Sequence, residues 1–156
     1  MTKQLTNKLT FELGWWLVTA IICLLVYLRV TTGFVSYPFL VANMAFIVIF
    51  ITVTRHVFLL RHTFLANSRN LMIAFIFVSI PLFLYSLTMY REFKMFWDDG
   101  SLIPFLKPGE YDTQMAFANF FRQEMFFFAI GSMIATFIFP FRLVKAVWSK
   151  YNRGYI

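Results

Sequence analysis

Charge and cysteine are both scarce in this chain. Only 13% of its 156 residues are charged, and it holds one cysteine and two histidines. A soluble domain carries about 25% charged and about 45–50% apolar residues. The apolar share here is 60%, which excludes an ordinary water-soluble domain and a disordered chain alike. The single Cys23 excludes an intrachain disulfide, and no CxxC or Cys/His cluster offers a zinc site. Its neighbours Ile22, Leu24 and Leu25 make it a small apolar filler within a helix. His56 and His62 are six apart and off a common helical face, and both fall outside the apolar runs. A transmembrane bis-histidine haem within one chain is therefore excluded. No cofactor, metal site or catalytic group is expected. Acids are the rarer charge: 7 Asp+Glu against 14 Lys+Arg leave a net charge of +7. In a soluble protein that excess would suggest nucleic acid. In a chain this apolar it is an orientation signal, because basic residues collect on the cytoplasmic side of membranes.

What is present in abundance is apolar sequence, and it falls into runs. At about 20 residues per crossing, the chain has room for four spans in one integral membrane domain covering residues 1–156. The first span is expected at about 13–31 (LGWWLVTAIICLLVYLR at its heart), preceded by Lys3 and Lys8. No small-x-small cleavage site follows, so it reads as a retained helix rather than a signal peptide. Trp15 and Trp16 mark its headgroup level. The second span is placed at about 39–55, its helix continuing into RHVFLLRH as it leaves the bilayer. The third is 71–90. Pro81 lies in its middle, and its missing N–H frees the Phe77 carbonyl, so a kink is expected, with Ser79 helping to satisfy the backbone. A loop, Arg91–Gln114, holds five of the seven acids: Glu92, Asp98, Asp99, Glu110 and Asp112. The fourth span, about 115–140, leads into a basic tail that reads as an amphipathic surface helix.

The expected fold is therefore an all-α membrane protein, a four-transmembrane-helix bundle with an amphipathic outer loop between helices 3 and 4. Nine of the 14 basic residues lie in the N-terminus, the middle loop and the tail. With an even number of spans these regions share one side, which the positive-inside rule makes cytoplasmic. The chain has no N-x-[ST] sequon, which fits a bacterial inner (plasma) membrane.

Charges within or beside the last span stand out. Arg122 and Glu124 lie two apart and point to different sides of a helix, so they do not pair with each other. If the bilayer begins at Met115, Arg122 lies about 10 Å deep, where a charge is functional by default; Met125–Phe141 is itself nearly long enough to span, which favours the alternative, a pair at the outer interface. Arg29, near the outer end of helix one, is the expected partner of Glu124. Asn119 and Gln123 share a face four residues apart. Together these residues suggest an outer polar cluster joining helices one and four, or neighbouring subunits. Gly131-xxx-Ala135 and Ser132-xxx-Thr136 offer a small-residue face on which helices approach closely. It is the expected homo-oligomer contact. Nine phenylalanines between 115 and 141 read as core or lipid-facing packing. In the outer loop, the apolar Leu102–Leu106 stretch between turn signals is expected to dip into the interface or cap the bundle. The Arg-His dipeptides read as a basic segment meeting anionic headgroups.

Three function classes compete. The leading one is a small non-enzymatic membrane subunit that oligomerises and senses, scaffolds or protects. Its partners would be the lipid bilayer, copies of itself and a cytoplasmic protein at the basic face, with no direct nucleic acid contact. In topology alone the chain resembles pore-forming-bacteriocin immunity proteins and small membrane sensors of phage-defence systems. No family motif aligns, so no residue roles carry over. The alternative is a small ion channel or transporter whose polar path would draw on Asn43, Arg29, Asn119, Arg122, Gln123 and Glu124. An intramembrane enzyme ranks last, for want of a catalytic constellation at matching depth.

Overall fold

The computed structural model describes residues 3–100 and 102–153. It is all-helical. Helix α1 spans Lys3–Gly33, α2 Leu40–Leu59, α3 Arg69–Asp98 and α4 Tyr111–Arg153, with short 3₁₀ turns at Leu60–His62, Phe64–Asn67 and Ile103–Phe105. All four long helices are long and apolar enough to cross a membrane. Among the described residues there is no β-strand, only an isolated antiparallel bridge between Phe34 and Leu106.

The helices are longer than hydropathy alone suggests. Of the expected 91–114 loop, the residues up to Asp98 belong to α3 and those from Tyr111 belong to α4. Hydropathy falls after Tyr90, yet the buried period does not: Met72, Ser79, Ser86 and Phe93 follow one another every seven residues, all buried. Phe93 carries the stripe one turn past the apolar run. The stop is Gly100, whose φ of 68° is the left-handed conformation glycine adopts freely. At the other end of α3 the Ser68 hydroxyl accepts a bond from the Leu71 N–H at 3.3 Å, a normal N-cap. Pro81 and Pro140 both sit inside continuous helices. The Ser79 hydroxyl donates to the Ile76 carbonyl at 2.6 Å rather than serving the carbonyl of Phe77.

Helix α4 is the axis of the molecule. It lies against both α2 and α3, while α1 rests mainly on α2. Its buried residues form a matching heptad: Ala118, Met125, Ser132 and Phe139 on one line, Ala129, Thr136 and Leu143 on the next. Small side chains in the middle of both helices, Ser79 and Ser86 on α3 and Ala129 and Ser132 on α4, let the backbones approach. Each of the hydroxyls among them is bonded to a carbonyl of its own helix, so none is stranded in the apolar core.

The two ends of the molecule are built differently. At one, Lys8 of α1 donates to Asn67 at 2.6 Å and Lys150 of α4 donates to the Ala66 and Asn67 carbonyls. The chain's first and last helices thus meet the α2–α3 connection. At the opposite end residues 102–107 close over the helices. Leu102 and Leu106 are buried with Phe34, Tyr37 and Phe121. The Val35 N–H donates to Phe105 and the Lys107 N–H to Gly33, both at 2.9 Å. A Cβ on Gly33 would run into the Phe117 ring, so this contact requires glycine.

Candidate functional site

Helix α2 carries the polar groups that matter. Asn43, Ile47, Ile51 and Arg55 recur every four residues, and all are buried. That spacing puts them on one side of the helix. The line is polar at both ends and apolar between. Asn43 and Arg55 are therefore held about 18 Å apart, at 1.5 Å per residue.

At the capped end, the Asn43 amide donates to Glu124 Oε2 of α4 at 2.8 Å. Asn43 is fully buried and Glu124 half-buried. Tyr37, buried in the turn between α1 and α2, lies within the field of the same carboxylate. Burial, and then the Glu124 charge, push its phenol well above the usual tyrosine range. Tyr37 OH, Asn43 Oδ1 and Glu124 Oε1 are buried and have no hydrogen-bond partner among the described residues. A carboxyl, a carboxamide and a phenol with unspent capacity thus gather where α2 and α4 meet the α1–α2 turn.

Arg122 turns the other way. Its guanidinium lies 5.2 Å from the centre of the Trp97 ring and 5.6 Å from that of Phe126. Both are cation–π contacts, one to α3 and one within α4. The two charges diverge as their spacing requires. The level is fixed by packing: the Tyr90 ring lies 5.6 Å from Phe126, so Arg122 and Glu124 stand beside the last turns of α3.

Several expectations are corrected here. Arg29 does not pair with Glu124: it is exposed, and among the described residues the ion pair is Arg55–Glu12. Asn119 and Gln123 are exposed on α4, away from the Asn43–Glu124 contact. The polar cluster joins helices two and four, not one and four. Glu124 reaches α2 because α2, not α1, is the long neighbour of α4. The small-residue face is occupied inside the chain: a Cβ on Gly131 would lie 2.7 Å from Cε2 of Phe50 in α2, and Ala135 is buried in the α2–α4 seam. His56 belongs to α2 rather than to a surface segment. Its Nδ1 is 2.6 Å from the Thr52 carbonyl and its ring 6.1 Å from that of Phe139.

The second polar contact, at the end bearing Lys8 and Lys150, was not foreseen. Glu12 of α1 and Arg55 of α2 form an ion pair at 2.8 Å, with side-chain exposures of 14% and 4%. Glu12 also accepts the Phe64 N–H at 3.3 Å, and Trp16 covers the guanidinium at 5.9 Å. One carboxylate thereby ties α1, α2 and the connection after α2 together. The signal was available: Arg55 continues the Ile47–Ile51 register, and Glu12 is the sole acid among the basic terminal and middle-loop segments.

Among the described residues, no three His, Cys, Asp or Glu side chains come together as a metal site requires. Cys23 is a free, half-buried thiol within α1. Comparison with known proteins finds no matching family model, curated protein or solved structure.

Proposed function

We propose that the chain is a small non-enzymatic subunit of a bacterial inner membrane, with both termini cytoplasmic, that senses, scaffolds or protects within an oligomer or beside a cytoplasmic partner. The observation that supports it most is how the polar groups between the two end contacts are spent. Ser79, Ser86, Ser132 and Thr136 lie buried between the Asn43–Glu124 and Glu12–Arg55 contacts, each donating to its own helix at 2.6–2.9 Å. Their hydroxyls serve backbone rather than lining a water path. Polar chemistry here holds helices in place, which suits a protein that works by presenting surfaces. Its exposed tail, with Lys145, Trp148 and Tyr151, is the surface offered to a cytoplasmic partner. Native co-purification tests this: a stoichiometric protein partner, or a defined homo-oligomer, is the expected result. A lone monomer that carries ions in liposomes would sink it.

One observation favours the second reading, a small channel or transporter with a polar path in the outer half. Tyr37 OH, Asn43 Oδ1 and Glu124 Oε1 are buried atoms without hydrogen-bond partners among the described residues. That reading predicts ion flux in liposomes that is lost in Glu124→Gln. Flux absent under opposed sodium, potassium and proton gradients removes it.

A further inference from the structure

At the end where Lys8 and Lys150 meet the α2–α3 connection, a groove of about 430 Å³ opens between that connection and α4. Four cations line it: Arg61 from the 3₁₀ turn after α2, and Arg142, Lys145 and Lys150 from α4. No acidic side chain lines it. The five acids between Glu92 and Asp112 lie near the opposite end, and Glu12 is spent on Arg55. The α4 residues Arg142, Lys145, Ala146 and Ser149 are spaced i, i+3, i+4, i+7, one face of one helix.

Two of the cations are anchored and two are not. Arg142 Nε donates to the Val57 carbonyl at 3.1 Å, and Lys150 donates to the Ala66 and Asn67 carbonyls. These bonds fix the groove walls. Arg61 and Lys145 are exposed, and among the described residues they make no ion pair or hydrogen bond. The lining also includes apolar Leu60, Met72 and Ala146, with Leu60 and Met72 buried. Met72 belongs to the first turn of α3 and shares a core cluster with Leu143 of α4, so the groove starts where the apolar stretch of α3 begins.

We propose that this groove binds the headgroup of an anionic phospholipid, its phosphate between Arg61 and Lys145 and its glycerol end against the half-buried Ala66 and Ala146, which lie over Leu60 and Met72. Cationic pockets between helices at a membrane surface hold such headgroups. The apolar lining is what favours a lipid over a soluble anion, because free phosphate has nothing to place there. The site needs only the membrane-spanning character of the helices, and it stands whether the chain is a scaffold or a channel.

Lipid titration followed by native mass spectrometry of the full chain tests it. Phosphatidylglycerol is expected to bind in preference to phosphatidylcholine. Removing two surface charges (R61Q with K145Q) is expected to weaken that binding by roughly thirtyfold. The double variant R91Q with K94Q, at the other end of the molecule, is expected to leave it unchanged. A146W keeps every cation but fills the groove, and it too is expected to lose the lipid. Equal loss in both charge doubles would mean unspecific attraction, and equal binding of phosphatidylcholine would mean no headgroup recognition. Displacement of phosphatidylglycerol by inorganic phosphate, with A146W binding like the wild type, would make the groove a soluble-anion site. Each of these three overturns the proposal. Gel filtration of the charge doubles, which alter exposed side chains only, separates lost binding from lost fold.

Discussion

Arg55 is buried deep enough that its charge has to be answered on the spot. Removing one partner of a buried ion pair strands the other, which costs about 3–5 kcal/mol, whereas replacing both by apolar residues of similar volume is often neutral. Arg55→Met or Glu12→Leu alone is therefore expected to destabilise the protein by about that amount, and the double variant to recover most of the loss. Thermal unfolding of all four proteins in one detergent checks it; simple addition of the two losses would show that the pair is not coupled. The same logic at Asn43 gives smaller numbers. Asn43→Leu leaves a half-buried carboxyl without its donor, at about 1–3 kcal/mol, and the Asn43→Leu/Glu124→Leu double should regain part of it. If Asn43→Leu unfolds at the wild-type temperature, the contact contributes nothing. Both positions were legible in the sequence as the ends of the Asn43–Ile47–Ile51–Arg55 register. Glu12 was legible too, as the sole acid among the basic segments; that Asn43 meets Glu124 was not. Pairing Glu124 with Arg29 matched charges without knowing which helices are neighbours, and neighbourhood is decided by packing between segments far apart in sequence.

At the scale of elements, the sequence announces the four apolar runs and conceals where the helices end. Hydropathy reports what favours lipid; a helix ends where capping and geometry end it. α3 and α4 both run past their apolar stretches because buried residues such as Phe93 and Leu143 keep the period going. The heptads on α3 and α4 were readable in principle, but serine at two buried α3 positions breaks a pattern sought among apolar residues alone. Small residues did signal close approach correctly; what they could not reveal is whether the approaching helix belongs to the same chain. The structure gives Gly131 to Phe50. Gly131→Leu is thus expected to lower the unfolding temperature of the protein itself, by overpacking worth about 1–3 kcal/mol. Adding Phe50→Ala makes room and should restore part of it. Loss of a higher oligomer at unchanged thermal stability would instead return the glycine to an interface between chains. Gly33→Ala is the matching case at the capped end, where the added methyl meets the Phe117 ring and should loosen residues 102–107 to proteolysis.

The molecule as a whole is polarised. One end gathers Lys8, the α2–α3 connection and Lys150, and carries most of the basic residues; the other is closed by a segment rich in acids. In a bilayer such asymmetry sets orientation, because basic loops are retained on the cytoplasmic side. Two exposed positions report the two ends: Asn70 in the first turn of α3 and Glu110 just before α4. With Cys23→Ala removing the native thiol, Asn70→Cys and Glu110→Cys can each be offered a membrane-impermeant maleimide on intact bacterial cells made permeable only at the outer membrane. The basic end is expected inside, so Glu110→Cys should label at once and Asn70→Cys only after the inner membrane is opened. The reverse pattern would invert the orientation while keeping the spans. Labelling of both from one side would mean that α3, the shortest path between them, does not cross. The measurement also bears on the lipid site, because the cationic groove lies at the Asn70 end. If that end faces the cytoplasm, the headgroup it binds belongs to the cytoplasmic leaflet, where the anionic surface potential that attracts clustered Lys and Arg is found.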